Sequence, residues 1–526
     1  MVIFLEPGHA QIQFQKTYTP GTFTNGPFAD GYYIAQTADS GFIMTGQGSY
    51  TVISSTNTGN VFLLKTDKWG TVQWYKEYGG SAQEIGWWVE QTSDHGFIFS
   101  GSQRSSPSAS QPRSYVGKTD SAGTLQWSWT YTLTGASDRA SAIKQTADGG
   151  YIIAGHTTLP AVTDINACII KLNANGTLQW MKTYSGTIVE WTKDILQTPD
   201  GGYVATGYTN SFGAGSEDIL IMRIDSSGNL LWFKTYGGTD TDIAYSICFA
   251  PDGGYVVTGQ TGGNGSDIII IKVDTSGSLQ WCRRYGNGLI DVAWSVKASP
   301  SGGYIVAGAA QNPSNSAMGS FALKTDSAGI REWYKFYNDG NYGNTIVQPT
   351  FDGGYVVGGK TSYGSIYLAK TDAAGNTGCN ETTFSTTDTS FVLQVASASP
   401  VVASVSPSFT TPPFTTTSPS VTDSMLCLLT GEVDLNETGF NVAVYPNPFD
   451  EQISISLAFD KNNVPGKNRI IISIKNIFGT EVLQKQEAVT GHYFFKNIDV
   501  AFLSQGVYFL QVTGEKLNWA GKFVKE

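Results

Sequence analysis

A turn of the form D-G-G-Y, or a close variant, returns seven times along the chain as DSGF, DHGF, DGGY, DGGY, DGGY, SGGY and DGGY. Its second glycine falls at Gly41, Gly96, Gly150, Gly202, Gly254, Gly303 and Gly354, so successive copies stand 55, 54, 52, 52, 49 and 51 residues apart. Self-similarity at such a period marks a repeat architecture, in which each copy covers the apolar face of its neighbour. Each copy holds four short runs of β type, shown by the fifth as Ala244 to Phe249, Gly254 to Gly259, Asp267 to Asp274 and Leu279 to Tyr285. Alternation and enrichment in β-branched residues identify strands. The D-G-G turn joins the first two, and D-x-x-G (Asp274 to Gly277) joins the last two, with glycine supplying the positive φ of a tight turn. Both turns therefore fall at the same end of the copy.

Four antiparallel strands in seven copies fit a β-propeller, because radial repetition leaves only short, protected sheet edges. Closure is legible too. A strand opening on tryptophan occurs six times, at Trp74, Trp127, Trp180, Trp232, Trp281 and Trp333, and is missing after Asp372. Its counterpart stands at the other end of the chain, where Phe14-Gln15-Lys16-Thr17-Tyr18 matches W-x-K-x-Y. The expected fold is all-β: a seven-bladed β-propeller of four-stranded blades over residues 11–379, closed by an N-terminal strand that forms the outermost strand of the last blade. Ligand stacking is one role open to the six tryptophans. Their fixed place after a turn glycine favours the other, filling the wedge between sheets. The run D-x-x-G-x-x-x-W resembles the tryptophan-docking motif of quinoprotein-like and outer-membrane-assembly propellers, one residue shorter between Asp and Gly. That resemblance bears on the fold alone.

Lys+Arg 32 against Asp+Glu 43 leaves −11 and a pI near 4.9, so no basic surface exists to meet a phosphate backbone or anionic lipid. Nucleic acid is excluded as the expected partner. No apolar run approaches the roughly 20 residues of a membrane helix, and no transmembrane segment is expected. The first ten residues, MVIFLEPGHA, read as the remnant of a signal peptide shortened at its start, with a ragged first strand as the alternative. Five cysteines lack any CxxC spacing and four histidines are scattered, so no metal cluster is read. Cys168, Cys248 and Cys282 lie in apolar strand patterns, whereas Cys379 and Cys427 bracket a loop-like stretch and could pair in an oxidising compartment.

After Cys379 the repeat stops and composition shifts to Ser, Thr and Pro, as in SPSFTTPPFTTTSPSVTDS, which predicts an extended linker over 380–440. Residues 441–526 change again to seven short alternating strands, the pattern of an Ig-like β-sandwich. Within them stand YPNPF (Tyr445, Pro446, Asn447, Pro448, Phe449), I-x-N-x-F-G ending at Gly479, L-x-x-G-V-Y with Gly506 and Tyr508, and a terminal K-F-V-K-E. This ordered set resembles the type A C-terminal sorting domain of the type IX secretion system. The resemblance implies a partner in the type IX secretion machinery and export across a gram-negative outer membrane, with the cargo secreted or attached to the outer surface. The 9 Lys/Arg and 8 Asp/Glu of this domain sum to +1, so the preceding residues carry −12 and the acidity belongs to the cargo.

For a binding site, the longer connections must cluster on the face opposite the D-G-G and D-x-x-G turns, where a propeller presents its ligand surface. Twelve residues before the anchor glycines stand Glu84, Asp138, Glu190, Asp242 and Asp291. They could ring the channel mouth and bind calcium, or each could accept backbone N–H bonds within its own blade junction. Trp87, Trp191, Tyr245 and Trp294 nearby suit either a carbohydrate-stacking surface or packing between blades. No nucleophile, base and orienter can be assembled, His156 being a lone candidate base. The expected function is an exported binding module for a glycan or surface polymer. The alternative is a secreted carbohydrate-active lyase or hydrolase using the channel-mouth carboxylates.

Overall fold

The computed structural model describes residues 12–525 apart from 21–29, 54–55, 81, 105, 107–108, 110, 133–136, 159–163, 263–264, 338–344, 362–363, 379–380, 383–386, 391–392, 405–407, 411–414, 418–420, 430–439, 446–451, 460–468, 477–479, 489–492, 505 and 514–517. The chain divides into two compact units, residues 15–425 and residues 1–14 with 426–526.

In the larger unit the seven copies fold as seven separate antiparallel sheets. Blade 4 shows the pattern: Glu190–Gln197, Tyr203–Thr209, Asp218–Ile224 and Leu230–Gly237 pair in chain order. The first strands of consecutive blades touch one another, and Asp30–Gln36 of blade 1 touches Ile346–Pro349 of blade 7, so the ring closes and these strands line its channel. Gln13–Pro20 pairs beside Ile366–Thr371 as the fourth strand of blade 7, as the W-x-K-x-Y match predicts. Apolar clusters lie between blades: Val204, Ile221, Ile247 and Ile269 of blades 4 and 5 form one of them.

The repeated residues explain why the copies join. The tyrosine of W-x-K-x-Y reaches into the next blade, where Tyr78 donates to Gly123 O at 2.6 Å, Tyr184 to Gly228 O at 2.7 Å and Tyr236 to Gly277 O at 2.6 Å. Tyr18 makes the same bond to Gly70 O of blade 1 at 2.7 Å, so the borrowed strand supplies the ring-closing staple as well as the missing ladder. Each bond satisfies a buried hydroxyl and a turn carbonyl together. The tryptophans pack on the same turns. At Gly277 φ is +75°, and an added Cβ would lie 2.9 Å from the Trp232 ring, so only glycine fits. That contact fixes the tryptophan column as packing between blades.

The lysine of K-T-D is buried beside the D-G-G aspartate: Lys65 to Asp39 and Lys118 to Asp94 at 2.8 Å, Lys171 to Asp148 at 2.9 Å. Blade 6 has Ser301 in place of that aspartate, and Lys324 turns instead to Glu332 at 2.9 Å.

The stretch expected as a linker is extended but not free. Glu381–Thr382, Thr387–Ser390, Gln394–Ser397, Val401–Ser404, Ser408–Thr410, Thr415–Thr417 and Val421–Leu429 each pair with the outermost strand of one blade. They meet blades 6, 5, 4, 3, 2, 1 and 7 in that order, so the segment travels back around the rim as a belt and gives every sheet a fifth strand. Backbone pairing needs no apolar side chains, which is why a Ser/Thr-rich segment can do this.

The second unit holds a three-stranded sheet, Phe440–Tyr445, Gln452–Phe459 and Tyr493–Asp499, and a four-stranded sheet, Glu481–Ala488, Arg469–Asn476, Gly506–Thr513 and Asn518–Lys525. Ile453, Ile455 and Ile498 of the first share a core with Ile470, Ile472, Ile474, Leu510 and Val512 of the second, which makes a β-sandwich of seven strands. Cys168, Cys248 and Cys282 are buried free thiols. Residues 1–10, the side chain of Cys427 and the whole of Cys379 lie outside the described residues, as do Pro446, Asn447, Pro448 and Gly479 of the sorting motifs. Among the described residues no helix is long and apolar enough to cross a membrane.

Candidate functional site

Six of the seven channel-lining strands carry a register shift near their middle, between Gly31 and Tyr33, Gly86 and Trp88, Ala140 and Ala142, Thr192 and Asp194, Ala244 and Ser246, and Ala293 and Ser295. A β-bulge leaves one residue without a cross-strand partner and re-aims its side chain. The residues so released are Tyr32, Trp87, Ser141, Lys193, Tyr245 and Trp294, and all six line one cavity of about 210 Å³ in the channel. Arg139 and Trp191, two places earlier on their strands, and Tyr33, Trp88 and Ile346 complete its wall. Every blade contributes. Inner strands begin on the face of the longer connections, so the cavity occupies that half of the channel.

The wall is aromatic and tightly coupled. Tyr32 lies against Trp87 with ring centroids 4.7 Å apart, Tyr245 against Trp294 at 4.1 Å, and Tyr33 stacks on Trp88 at 3.8 Å. Trp191 donates its indole N–H to Ser141 Oγ at 3.2 Å and meets the buried His156 ring at 3.9 Å. Lys193 Nζ stands 3.3 Å from the centroid of the Trp191 ring, and the Arg139 guanidinium 6.0 Å from it. Burial and then Arg139 bring Lys193 down to about 7, while burial and Arg104 lower Arg139. Burial, Arg139 and Lys193 together hold His156 well below the ordinary histidine value.

The four aromatic residues singled out in the sequence, Trp87, Trp191, Tyr245 and Trp294, therefore do converge on a cavity. The five carboxylates do not. Glu84, Asp138, Glu190, Asp242 and Asp291 are each at most 1% exposed, and four of them accept the N–H of the residue four places earlier. Gly80 donates to Glu84 at 3.3 Å, Gly186 to Glu190 at 2.6 Å, Gly238 to Asp242 at 2.8 Å and Asn287 to Asp291 at 3.1 Å. Asp138 accepts from Thr132 Oγ1 at 2.5 Å. The expected acidic ring at the channel mouth is thus replaced by five separate clamps on the connections between blades. Among the described residues no group of three or more His, Cys, Asp or Glu is placed to hold a metal ion.

Sequence reasoning missed Tyr32, Tyr33, Trp88, Arg139, Ser141, Lys193 and Ile346. A signal for half of the cavity was present, because the bulge residue always stands nine places before the anchor glycine, from Tyr32 before Gly41 to Trp294 before Gly303. Reading that column would have found six of the lining residues at once.

Residues 443–526 match the family described as a secretion system C-terminal sorting domain. No curated protein matches the chain. Among solved structures, the periplasmic gluconolactonase PpgL of Pseudomonas aeruginosa is 12% identical with a TM-score of 0.34, covering 73% of this chain and 100% of its own. The protein is an all-β propeller repeat protein carrying a type IX secretion sorting domain, and that domain directs it across the outer membrane.

Proposed function

We propose that this protein is an exported binding module, secreted or held on the outer surface, that takes a glycan or surface polymer into the aromatic cavity of its propeller. One observation carries the reading: bulges in six channel strands turn Tyr32, Trp87, Tyr245 and Trp294 into the same cavity as Trp191. Flat rings facing a concave, partly apolar space match the apolar faces of sugar rings, while Ser141, Arg139 and Lys193 supply polar contacts that fix orientation. A propeller places such a site at the meeting point of seven blades, where packing holds each ring. The carboxylate chemistry of a lyase or hydrolase draws no support from the five buried acids.

The test is a glycan array probed with the full chain and with Trp294→Ala, alongside a reducing-sugar release assay. Binding to a defined set of glycans, weakened at least tenfold by the substitution and without sugar release, supports the reading. Sugar release would replace it with an enzyme, and binding unaffected by Trp294→Ala would move the site elsewhere.

A further inference from the structure

Arg139 and Lys193 approach one indole ring from two strands, at 6.0 and 3.3 Å from its centroid, inside a cavity otherwise walled by aromatic residues. Among the described residues no carboxylate stands against either cation. The groups that face Lys193 are Arg139 and His156 of blade 3, Tyr208 of its own blade and Tyr245 of blade 5, none of them an anion at neutral pH, while the carboxylate of Glu217 bears on the Tyr208 and Tyr245 hydroxyls but not on Lys193 itself. Asp194, next in sequence, is turned away and accepts from Ser246 Oγ at 3.2 Å and Ile247 N at 3.1 Å. Arg104 adds a third cation that acts on Arg139.

Like charges held together in a half-buried cavity are unfavourable unless an opposite charge joins them, and the ring face of Trp191 offsets only part of that cost. In a chain of net charge −11, where buried cations such as Lys65, Lys118 and Lys171 are matched to a carboxylate, two half-buried cations in a cavity without one call for an anion from outside. We propose that Arg139 and Lys193, converging on Trp191, form a subsite for the carboxylate or sulfate of an acidic sugar, so that the ligand of the channel is an acidic glycan. The inference rests on the glycan-binding reading above and names its ligand class. A guanidinium offers a planar fork and an ammonium a point charge, and together they bracket a ring substituent without fixing whether it is carboxylate or sulfate.

Lys193 must hold its proton to act, and burial followed by Arg139 brings it to about 7. Affinity for an acidic glycan is therefore expected to fall about tenfold between pH 6 and pH 8, the change in the protonated fraction of a group titrating at the midpoint.

The experiment uses the full chain on an array of uronate-bearing, sulfated and neutral glycans, followed by titration calorimetry with the tightest binder. Selection of acidic glycans, loss of at least tenfold in affinity in Lys193→Met and Arg139→Met, retention in Lys193→Arg, and the fall in affinity from pH 6 to pH 8 together support the subsite. Unchanged thermal unfolding of the variants excludes misfolding as the cause. Binding confined to neutral glycans, or acidic binding indifferent to both methionine variants, overturns the acidic subsite while leaving the glycan-binding reading intact. Absence of binding to every glycan defeats that reading and the subsite with it.

Discussion

Glu84 and Asp291 hold the first turn of their inner strands from positions that water does not reach. Burial raises both carboxyls to about 7 against the hydrogen bonds from Gly80 and Asn287 that favour the charged form, and Asp267 adds to the rise at Asp291. Their unfolded values are the ordinary 4.5 and 3.8, so between those values and 7 the folded state keeps protons that the unfolded chain has lost. Stability from these groups is present at low pH and is lost as pH rises through that window, by up to about 1.4 kcal/mol per pH unit for each group. His156 contributes the opposite slope below 6.5, because the fold keeps it neutral. The turn aspartates Asp94 and Asp148 titrate near 2, where bonds from the lysine, threonine and glycine of the turn outweigh partial burial, so they act only below this window. The informative measurement is thus a difference. Urea midpoints at pH 5 and pH 7 should show that Glu84→Gln with Asp291→Asn gains stability relative to the natural chain as pH rises, and equal pH slopes would refute the protonated clamps.

At the scale of elements, the rim belt was the least legible part of the fold. Gln394–Ser397 exposes all four of its residues, so it has no alternation between a buried and a solvated face, and alternation is what marks a strand in sequence. Its stability comes from the ladder Lys234↔Ser397, Thr235↔Ala396, Tyr236↔Val395 and Gly237↔Gln394, which depends on backbone groups alone. The blades were legible for the opposite reason, since Tyr236, Gly277 and Trp232 recur as columns whose contacts are the same in blade after blade. The site falls between these cases. Trp87 and Trp294 drew attention as aromatic residues, but Lys193 and Ser141 share their column without sharing their chemistry, and only the bulge shows that they point the same way. The belt can be tested at Ala398, whose N–H donates to Phe233 O at 3.1 Å. Proline there removes the donor, so Ala398→Pro should cost about 1 to 3 kcal/mol. Amide exchange should quicken in 394–397 and 230–237 and remain unchanged in blade 1, whereas exchange unaltered in both segments would mean that the belt is not paired at this blade.

The aspartates of D-G-G and D-x-x-G gather at the turn end of the blades, many of them beside buried lysines, while the cations Arg139 and Lys193 stand in the half of the channel under the longer connections. An acidic protein can therefore carry a local site for an anion, because the repulsion of distant carboxylates is screened beyond about 8 Å at physiological ionic strength. Export belongs to the other unit. The belt ends at Leu429 and the sandwich begins at Phe440, so a cut between them divides no sheet. Removing residues 441–526 should leave a propeller that melts as a cooperative unit and still binds its ligand, yet remains inside the outer membrane. Fractionation of cells expressing the full chain and the truncated one should then show at least a tenfold loss of extracellular and surface protein, with the missing material recovered in the periplasm. A truncated chain that reaches the exterior in normal amount would mean that the propeller carries its own export signal, and one that fails to bind its ligand in the periplasm would mean that the blades need the sandwich to fold.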